Sequence, residues 1–553
     1  MADKVNISIR AAGKKLLQLI SLERKEVGQI YFFSILTGLI QLSLPLGIQA
    51  IIGLLFGGAL SASLVVLISF VVAGVLLSGI LQVMQMRVTE GIQQRIFTRL
   101  TLAYAYRIPR IDLLSVDSYY LPELINRFFD TASLQKGLSK LLLDIPAATI
   151  QILFGLVLLS FYHPVFIVLG LILLAIVCLI FYFSSHKGFT TSMEESDYKY
   201  EVGHWLEEIS RAIKTFKFAQ KHQLHMKKTD RLTVGYLDAR SAHFNVLVLQ
   251  YRALIAFKVI VTAAMLIIGT LLFLKQQINL GQFIAAEIII IAVLNSVEKL
   301  IISLETLYDV LTSIEKLDKV LQKPQDSEIS NAAAENMDFN GPFTVAVQNL
   351  SFSFNQRKPV IDQLTFEVKP GEKVCISGKE GSGKTTLLRI ISGLYNGYSG
   401  QILINGIPLQ NVPAGIWRSR VAIFFAREEL FGGTLWENLT MGDEQIDFNF
   451  IVEICGLVGL QSFIDTSVNG YHTVLDPQGQ KLSYSVIQKI LLARCFLIKP
   501  ALLIMESGWQ AIEPEHRSLI IDKLINDKSF SLVAISDLEE LTGACSKLIT
   551  LNK

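Results

Sequence analysis

The hydrophobic pattern changes character near residue 320. Before that point, long apolar runs alternate with amphipathic ones at helical spacing. Beyond it, short β-branched runs alternate with helical patterns of mixed polarity. Six early stretches approach the roughly 20 apolar residues a helix needs to cross a bilayer. They lie at Ile30 to Leu54, Leu64 to Val83, Ile145 to Phe161, Val165 to Phe183, Leu254 to Leu274 and Phe283 to Ile302. The third is the weakest, because Asp144 and Pro146 stand at its start.

Positive charge sets the expected orientation. The short connections Phe56 to Ser63 and Tyr162 to Pro164 carry no Lys or Arg, and Lys275 to Gln282 carries only Lys275. The two long connections hold Arg87, Arg95, Arg99, Arg107 and Arg110, then Lys187, Arg211, Lys214, Lys217, Lys221, Lys227 and Lys228. The long connections and both termini are therefore expected in the cytoplasm. Their helical rhythm predicts extensions of the membrane helices, with a short docking segment at each tip. The candidates are Ile111 to Leu121 and Val202 to Ala212, the latter with Trp205 and Leu206 beside Glu207, Glu208 and Arg211.

These signals predict four parts. Residues 1–25 read as an interfacial helix, with Ile9, Leu16, Leu17 and Ile20 set against Arg10, Lys14 and Lys15. No apolar core leading to a small-residue cleavage site marks this segment as a removable signal peptide. Residues 26–320 read as the membrane domain and 321–342 as a polar linker with Pro324, Asn331, Asn340 and Gly341. Residues 343–553 read as an α/β domain with a largely parallel sheet.

Composition agrees with a membrane portion: mean hydropathy is +0.46 and only 18% of the 553 residues are charged. A net charge of +2 gives no reason to expect a nucleic-acid partner. The five cysteines, Cys178, Cys375, Cys455, Cys495 and Cys545, show no metal spacing and are expected to be reduced packing residues.

One motif carries chemistry. In VCISGKEGSGKTTLLRIISG, a β-branched strand runs into a glycine-rich turn and then an amphipathic helix, the order a phosphate-binding loop requires. Gly378, Lys379, Glu380, Gly381, Ser382 and Gly383 form the turn, in which backbone N–H groups can converge on phosphate oxygens. Lys384 reaches the terminal phosphates, Thr385 offers a hydroxyl to Mg²⁺, and Thr386 follows in the helix. The implied cofactors are ATP and Mg²⁺. In the membrane half, Glu287 is an ionisable residue near the start of the last span and a candidate for the substrate pathway. Lys258 on the fifth span is a candidate partner for it, the alternative being that its long side chain reaches to the interface.

With six spans, two long loops and this motif, the chain from about Leu16 to Leu551 resembles a half-transporter of the ABC exporter family. It is most similar in look to the hemolysin-type, peptide-exporting branch. FSF at Phe352 to Phe354 resembles the segment that stacks on adenine, with Phe354 where the family usually has Tyr. SGQILINGIPL, LFGGTLWENL, GYHTVLDPQGQKLS and ILLARCFLIKPALLIMES follow in family order. The resemblance implies an α-helical polytopic membrane domain followed by an α/β P-loop NTPase domain. It also implies pairing with a second half, so that two ATP molecules lie between the P-loop of one and the signature of the other. A bacterial cytoplasmic membrane location, a peptide or protein cargo and a periplasmic adaptor are further implications.

The sequence departs from that family at the hydrolytic positions. The signature Leu-Ser-Gly-Gly-Gln is replaced by Leu482-Ser483-Tyr484-Ser485-Val486. Ser483 is retained, but Tyr484 puts a ring where glycine permits close approach. After the apolar strand, Glu506 and Ser507 stand where the family has Asp-Glu. Glu506 still offers a carboxylate toward Mg²⁺, whereas Ser507 has none with which to orient water. Ala426 replaces the loop glutamine, Asp537 the switch histidine, and Gln510-Ala511-Ile512-Glu513 the usual Ser-Ala-Leu-Asp. Nucleotide binding is expected with weak or partner-dependent hydrolysis, in a heterodimer with a complete half. A non-hydrolysing membrane scaffold or ATP-gated regulator is the alternative.

Overall fold

A computed structural model describes residues 9–56, 62–117, 120–218, 223–326, 341–354, 358–426, 430–477, 481–506, 511–536 and 538–551. The chain forms two compact units, Met1–Pro109 with Tyr119–Lys323, and Arg110–Ser118 with Pro324–Lys553.

The first unit is helical: α1 (Ile9–Ser21), α2 (Arg24–Gln41), α3 (Ser43–Phe56), α4 (Ala62–Arg107), α5 (Leu121–Asn126), α6 (Asp130–Tyr162), α7 (Val165–Arg211), α8 (Ile213–Phe218), α9 (Leu224–Leu274) and α10 (Leu280–Leu321). Among the described residues, six helical stretches are long and apolar enough to span a membrane. Four of them continue well past the apolar run, so α4 has 46 residues, α7 47, α9 51 and α10 42. Side chains such as Val65, Val66 and Phe70 on α4 are exposed, as suits a lipid-facing surface, whereas Gln85 turns inward and donates to Ser34 Oγ at 3.3 Å.

The weak third span proves to be one unbroken helix. Pro146 lies buried inside α6, where packing compensates for the lost backbone hydrogen bond, and Asp144 pairs with Lys299 at 3.2 Å. Close helix approach also depends on Gly188 of α7. A Cβ there would sit 2.3 Å from Tyr308 Cε2, and the Tyr308 hydroxyl accepts from Gln250 Nε2 at 2.9 Å.

The tip of the second long connection differs from expectation. Val202 to Arg211 is still α7, and the separate short helix is α8. Trp205 faces inward, its indole N–H bonded to Thr229 Oγ1 at 3.0 Å and its ring capped by Lys228 Nζ at 3.8 Å. The buried indole thus finds its partners within its own long connection.

Among its described residues the second unit has eleven strands: β1 (Val345–Phe352), β2 (Ile361–Val368), β3 (Lys373–Gly378), β4 (Ser399–Ile404), β5 (Ile407–Pro408), β6 (Val421–Phe424), β7 (Gly433–Thr434), β8 (Val474–Leu475), β9 (Leu502–Met505), β10 (Ser531–Ile535) and β11 (Lys547–Leu551). The central sheet, in the order β11-β3-β10-β9-β6, is parallel throughout. A separate antiparallel sheet has the order β2-β1-β4-β5. The largely parallel reading therefore holds for the central sheet alone, because short β-branched runs do not reveal their pairing direction.

Arg110–Ser118 belongs to this unit. Asp112 N–H donates to Pro324 O at 2.9 Å, and Asp326 N–H donates to Arg110 O at 2.8 Å. The Tyr395 hydroxyl donates to Asp117 Oδ1 at 3.2 Å, and Leu114 packs on the hydrophobic core beneath. A short 3-10 turn, Leu113–Val116, capped by Asp112, forms the centre of this segment.

Cys375 on β3 and Cys545 just before β11 form a disulfide, with Cα atoms 6.0 Å apart. This corrects the expectation that all cysteines are reduced. The parallel pairing of β3 with β11 brings together residues 170 apart in sequence. Among the described residues, Cys178, Cys455 and Cys495 take no part in a disulfide.

Candidate functional site: a phosphate-binding loop and its carboxylate

The loop sits where the fully buried start of β3 ends and the helix Lys384–Ile391 begins. Two glycines are required by geometry. Gly378 has φ +150°, and a Cβ on it would lie 2.8 Å from Leu551 O. Gly383 has φ +91°, and a Cβ there would lie 3.0 Å from Val360 O. Neither backbone conformation suits an L side chain, and neither neighbour is a flexible tip. Lys379, Glu380 and Gly381 are exposed at the crest, while Ser382 is buried.

Lys384 folds over the loop, and its ammonium donates to Gly378 O at 2.6 Å and Lys379 O at 3.0 Å. Thr385 and Thr386 follow in the first helical turn, both half-buried. The Thr385 hydroxyl donates to Glu506 Oε1. Glu506 directly follows β9, whose four residues are all buried, and its backbone N–H donates to Phe424 O at 2.8 Å. Its second oxygen, Oε2, accepts from Ala426 N–H at 3.3 Å. Strand order thus places the hydroxyl and carboxylate together although they stand 121 residues apart.

The other predicted positions are more dispersed. Phe354 is half-buried and edge-on to Phe352 at 4.9 Å and Tyr395 at 5.9 Å, in an aromatic cluster at the margin of the second core. Ser483 caps the helix Tyr484–Leu497, its Oγ accepting from Val486 N–H at 3.3 Å. The neighbouring Tyr484 hydroxyl donates to Ala426 O at 3.3 Å, a contact between residues 58 apart that no sequence motif signals. Ser507, Gln510 and Asp537 lie outside the described residues.

Lys489 of the same helix is buried, with its ammonium 2.6 Å from Glu513 Oε2 and 3.0 Å from Gly459 O. That pairing holds Glu513 below the usual carboxylate range. In the first unit, Glu287 is half-buried and its Oε2 has no hydrogen-bond partner among the described residues. Lys258, its candidate partner, instead pairs with Glu298 at 2.5 Å. The pairing fits their spacing from Glu287: Glu298 lies eleven residues along α10, three helical turns away.

Magnesium and a nucleoside triphosphate fit the described residues. Gly378, Gly381 and Gly383 all have positive φ, the backbone conformation a glycine turn needs if its N–H groups are to face phosphate oxygens. Ser382 Oγ is buried and has no hydrogen-bond partner among the described residues. Thr385 and Glu506 supply the hydroxyl and carboxylate that a hard cation with oxygen ligands takes. Among the described residues no cluster of three or more His, Cys, Asp or Glu is placed to hold a metal ion.

Residues 361–507 match the ABC transporter family model, and residues 27–297 match the model of the ABC transporter transmembrane region. The colicin V secretion/processing ATP-binding protein CvaB of Escherichia coli is 29% identical over 212 residues, 38% of this chain and 30% of that protein. The beta-(1→2)glucan export ATP-binding/permease protein NdvA of Agrobacterium fabrum is 26% identical over 272 residues, 49% of this chain and 46% of that one. The chain thus spans less than half the length of these relatives. The solved structure of a bacterial Atm1-family ABC exporter with ATP bound superposes with a TM-score of 0.82 at 17% identity, covering 96% of this chain and 94% of that one, and shows the fold. With one match over the membrane helices and the other over the phosphate-binding loop and its carboxylate, the chain belongs to the ABC transporters, with membrane and ATP-binding domains in one polypeptide.

Proposed function

We propose that this chain is the ATP-binding half of an exporter in the bacterial cytoplasmic membrane, with both termini cytoplasmic, paired with a second half that supplies efficient hydrolysis. The observation that carries this reading is the Thr385–Glu506 pair beside an intact glycine cradle, followed in sequence by Ser507, which has no carboxylate. Lys384, Thr385 and Glu506 would hold Mg·ATP. Bound Mg²⁺ would neutralise charge on the transferring phosphoryl group. Without a carboxylate at 507 the chain cannot orient and deprotonate water as the family does, a loss of roughly 10²- to 10⁴-fold. The Lys and Arg content of the long connections supports the orientation. Similarity to a protein named for colicin V secretion supports a peptide or protein cargo, with Glu287 on its path.

The test is to purify the full chain alone and to measure ATP binding and vanadate-sensitive phosphate release separately. Binding with release at least 10²-fold below that of the combined variant Glu506→Asp, Ser507→Glu, Asp537→His is the expected result. Brisk release by the unmodified chain alone would overturn it. Affinity purification from native membrane should bring down a second half with complete motifs. Finding only this chain there, with the triple variant still inactive, would replace the exporter reading with a nucleotide-gated scaffold. An export-competent complex unaffected by Glu287→Gln would remove that residue from the path.

A further inference from the structure

Tyr484 is half exposed and opens the helix Tyr484–Leu497 where the family has a glycine. Its hydroxyl reaches Ala426 O at 3.3 Å, Ala426 N–H reaches Glu506 Oε2 at 3.3 Å, and Glu506 Oε1 accepts from Thr385. A sequence of three hydrogen bonds therefore leads from the signature turn, through the backbone of one residue, to the first turn of the phosphate-loop helix of the same domain. Glycine at 484 could not make the first link, and phenylalanine would place a ring there without making it.

We infer that Tyr484 is a positioning residue, a latch fastening this chain's signature turn to the Ala426 turn of its own domain. Because Ala426 is also held by Glu506, the hold on the signature turn depends on where that carboxylate points. The helix start, with Ser483 at its cap, is thereby drawn toward its own site and kept from completing a nucleotide site in another half. This deepens the proposed function and rests on Thr385 and Glu506 being the pair that faces the metal. It makes the two sites of a paired transporter unequal through a contact within this chain, beyond the missing hydrolytic groups.

The test uses the full chain in lipid nanodiscs, free of nucleotide, with hydrogen exchange read at the Val486 and Ile487 amides, which bond Ser483 Oγ and Ser483 O. Tyr484→Phe, which keeps the ring, should speed their exchange roughly 2- to 12-fold, the value of one net hydrogen bond. Glu506→Ala should also speed it in the wild-type background but add little to Tyr484→Phe, because both open the same path. Unchanged exchange in Tyr484→Phe would overturn the latch. Fully additive effects of the two substitutions would overturn its dependence on Glu506. Ser483→Ala, which removes the cap itself, should speed exchange in either background; if it does not, these amides are not governed by the turn and the latch is likewise overturned. Binding of a fluorescent ATP analogue is measured in parallel: its absence would sink the nucleotide reading, while the exchange result stands or falls without nucleotide.

Discussion

Thr385 Oγ1 and Glu506 Oε1 share a hydrogen bond, so the two side chains that would face one Mg²⁺ are already neighbours. Little rearrangement of the β9 end is then needed when a cation and phosphate arrive. Lys384→Ala is expected to weaken ATP binding by at least ten-fold, because its ammonium is the cation of the cradle. Thr385→Val should leave binding in EDTA nearly unchanged but abolish the gain on adding Mg²⁺. Equilibrium binding of a fluorescent ATP analogue with and without Mg²⁺ separates the two effects, and equal Mg²⁺ enhancement in Thr385→Val would remove Thr385 from the metal side.

The Cys375–Cys545 disulfide makes a prediction about thiol number. Unfolded without reductant, the chain should alkylate at three cysteines, Cys178, Cys455 and Cys495, and after reduction at all five. Cys545→Ser should cost about 2–4 kcal/mol of stability, since the link closes a loop of 170 residues. Mass spectrometry counts the alkylated sites and thermal unfolding reads the cost.

Lys373 gives a pH dependence. Burial pushes its ammonium down to about 8, even though Nζ donates to Asp527 O and Phe530 O at 2.7 Å each. Between about pH 8 and the unfolded value near 10.4, the unfolded chain holds the proton that the folded chain has released. Stability attributable to this residue therefore rises with pH across that window and is flat below it. The thermal midpoint of wild type should gain on that of Lys373→Met between pH 8 and 10; a constant difference would refute the shift.

Lys258 and Glu298 pair inside the helical unit, and removing one partner should cost more than removing both. Lys258→Met is expected to lose about 1–3 kcal/mol by leaving a carboxylate unpaired. Lys258→Met with Glu298→Leu should recover most of that loss. Midpoints of the three proteins in the same detergent provide the measurement.

What could be seen in the sequence followed from contiguity. The spans were legible because hydropathy is summed over adjacent residues, and the phosphate loop because its glycines, Lys384 and Thr385 are consecutive or nearly so. Pairings between distant residues were not. Cys375 with Cys545 depends on β3 lying beside β11, and Tyr484 with Ala426 joins residues 58 apart. The contacts of Trp205 with Thr229 and Lys228 were not legible either, because amphipathic spacing tells which face is apolar but not what covers it. The partner of Lys258 was not legible because two acidic residues lie on the same helix, and only the rise along α10 decides between them.

The nine residues Arg110–Ser118 make the ATP-binding unit discontinuous in the gene. Expressing the C-terminal part alone from Pro324 would amputate the piece that shields Tyr395 and supplies Leu114, uncovering apolar surface and leaving the Pro324 carbonyl and the Asp326 amide without their partners. Biochemists who excise that half to study its nucleotide chemistry should therefore graft the missing peptide back on, or expect a stickier and less soluble product than the intact polypeptide.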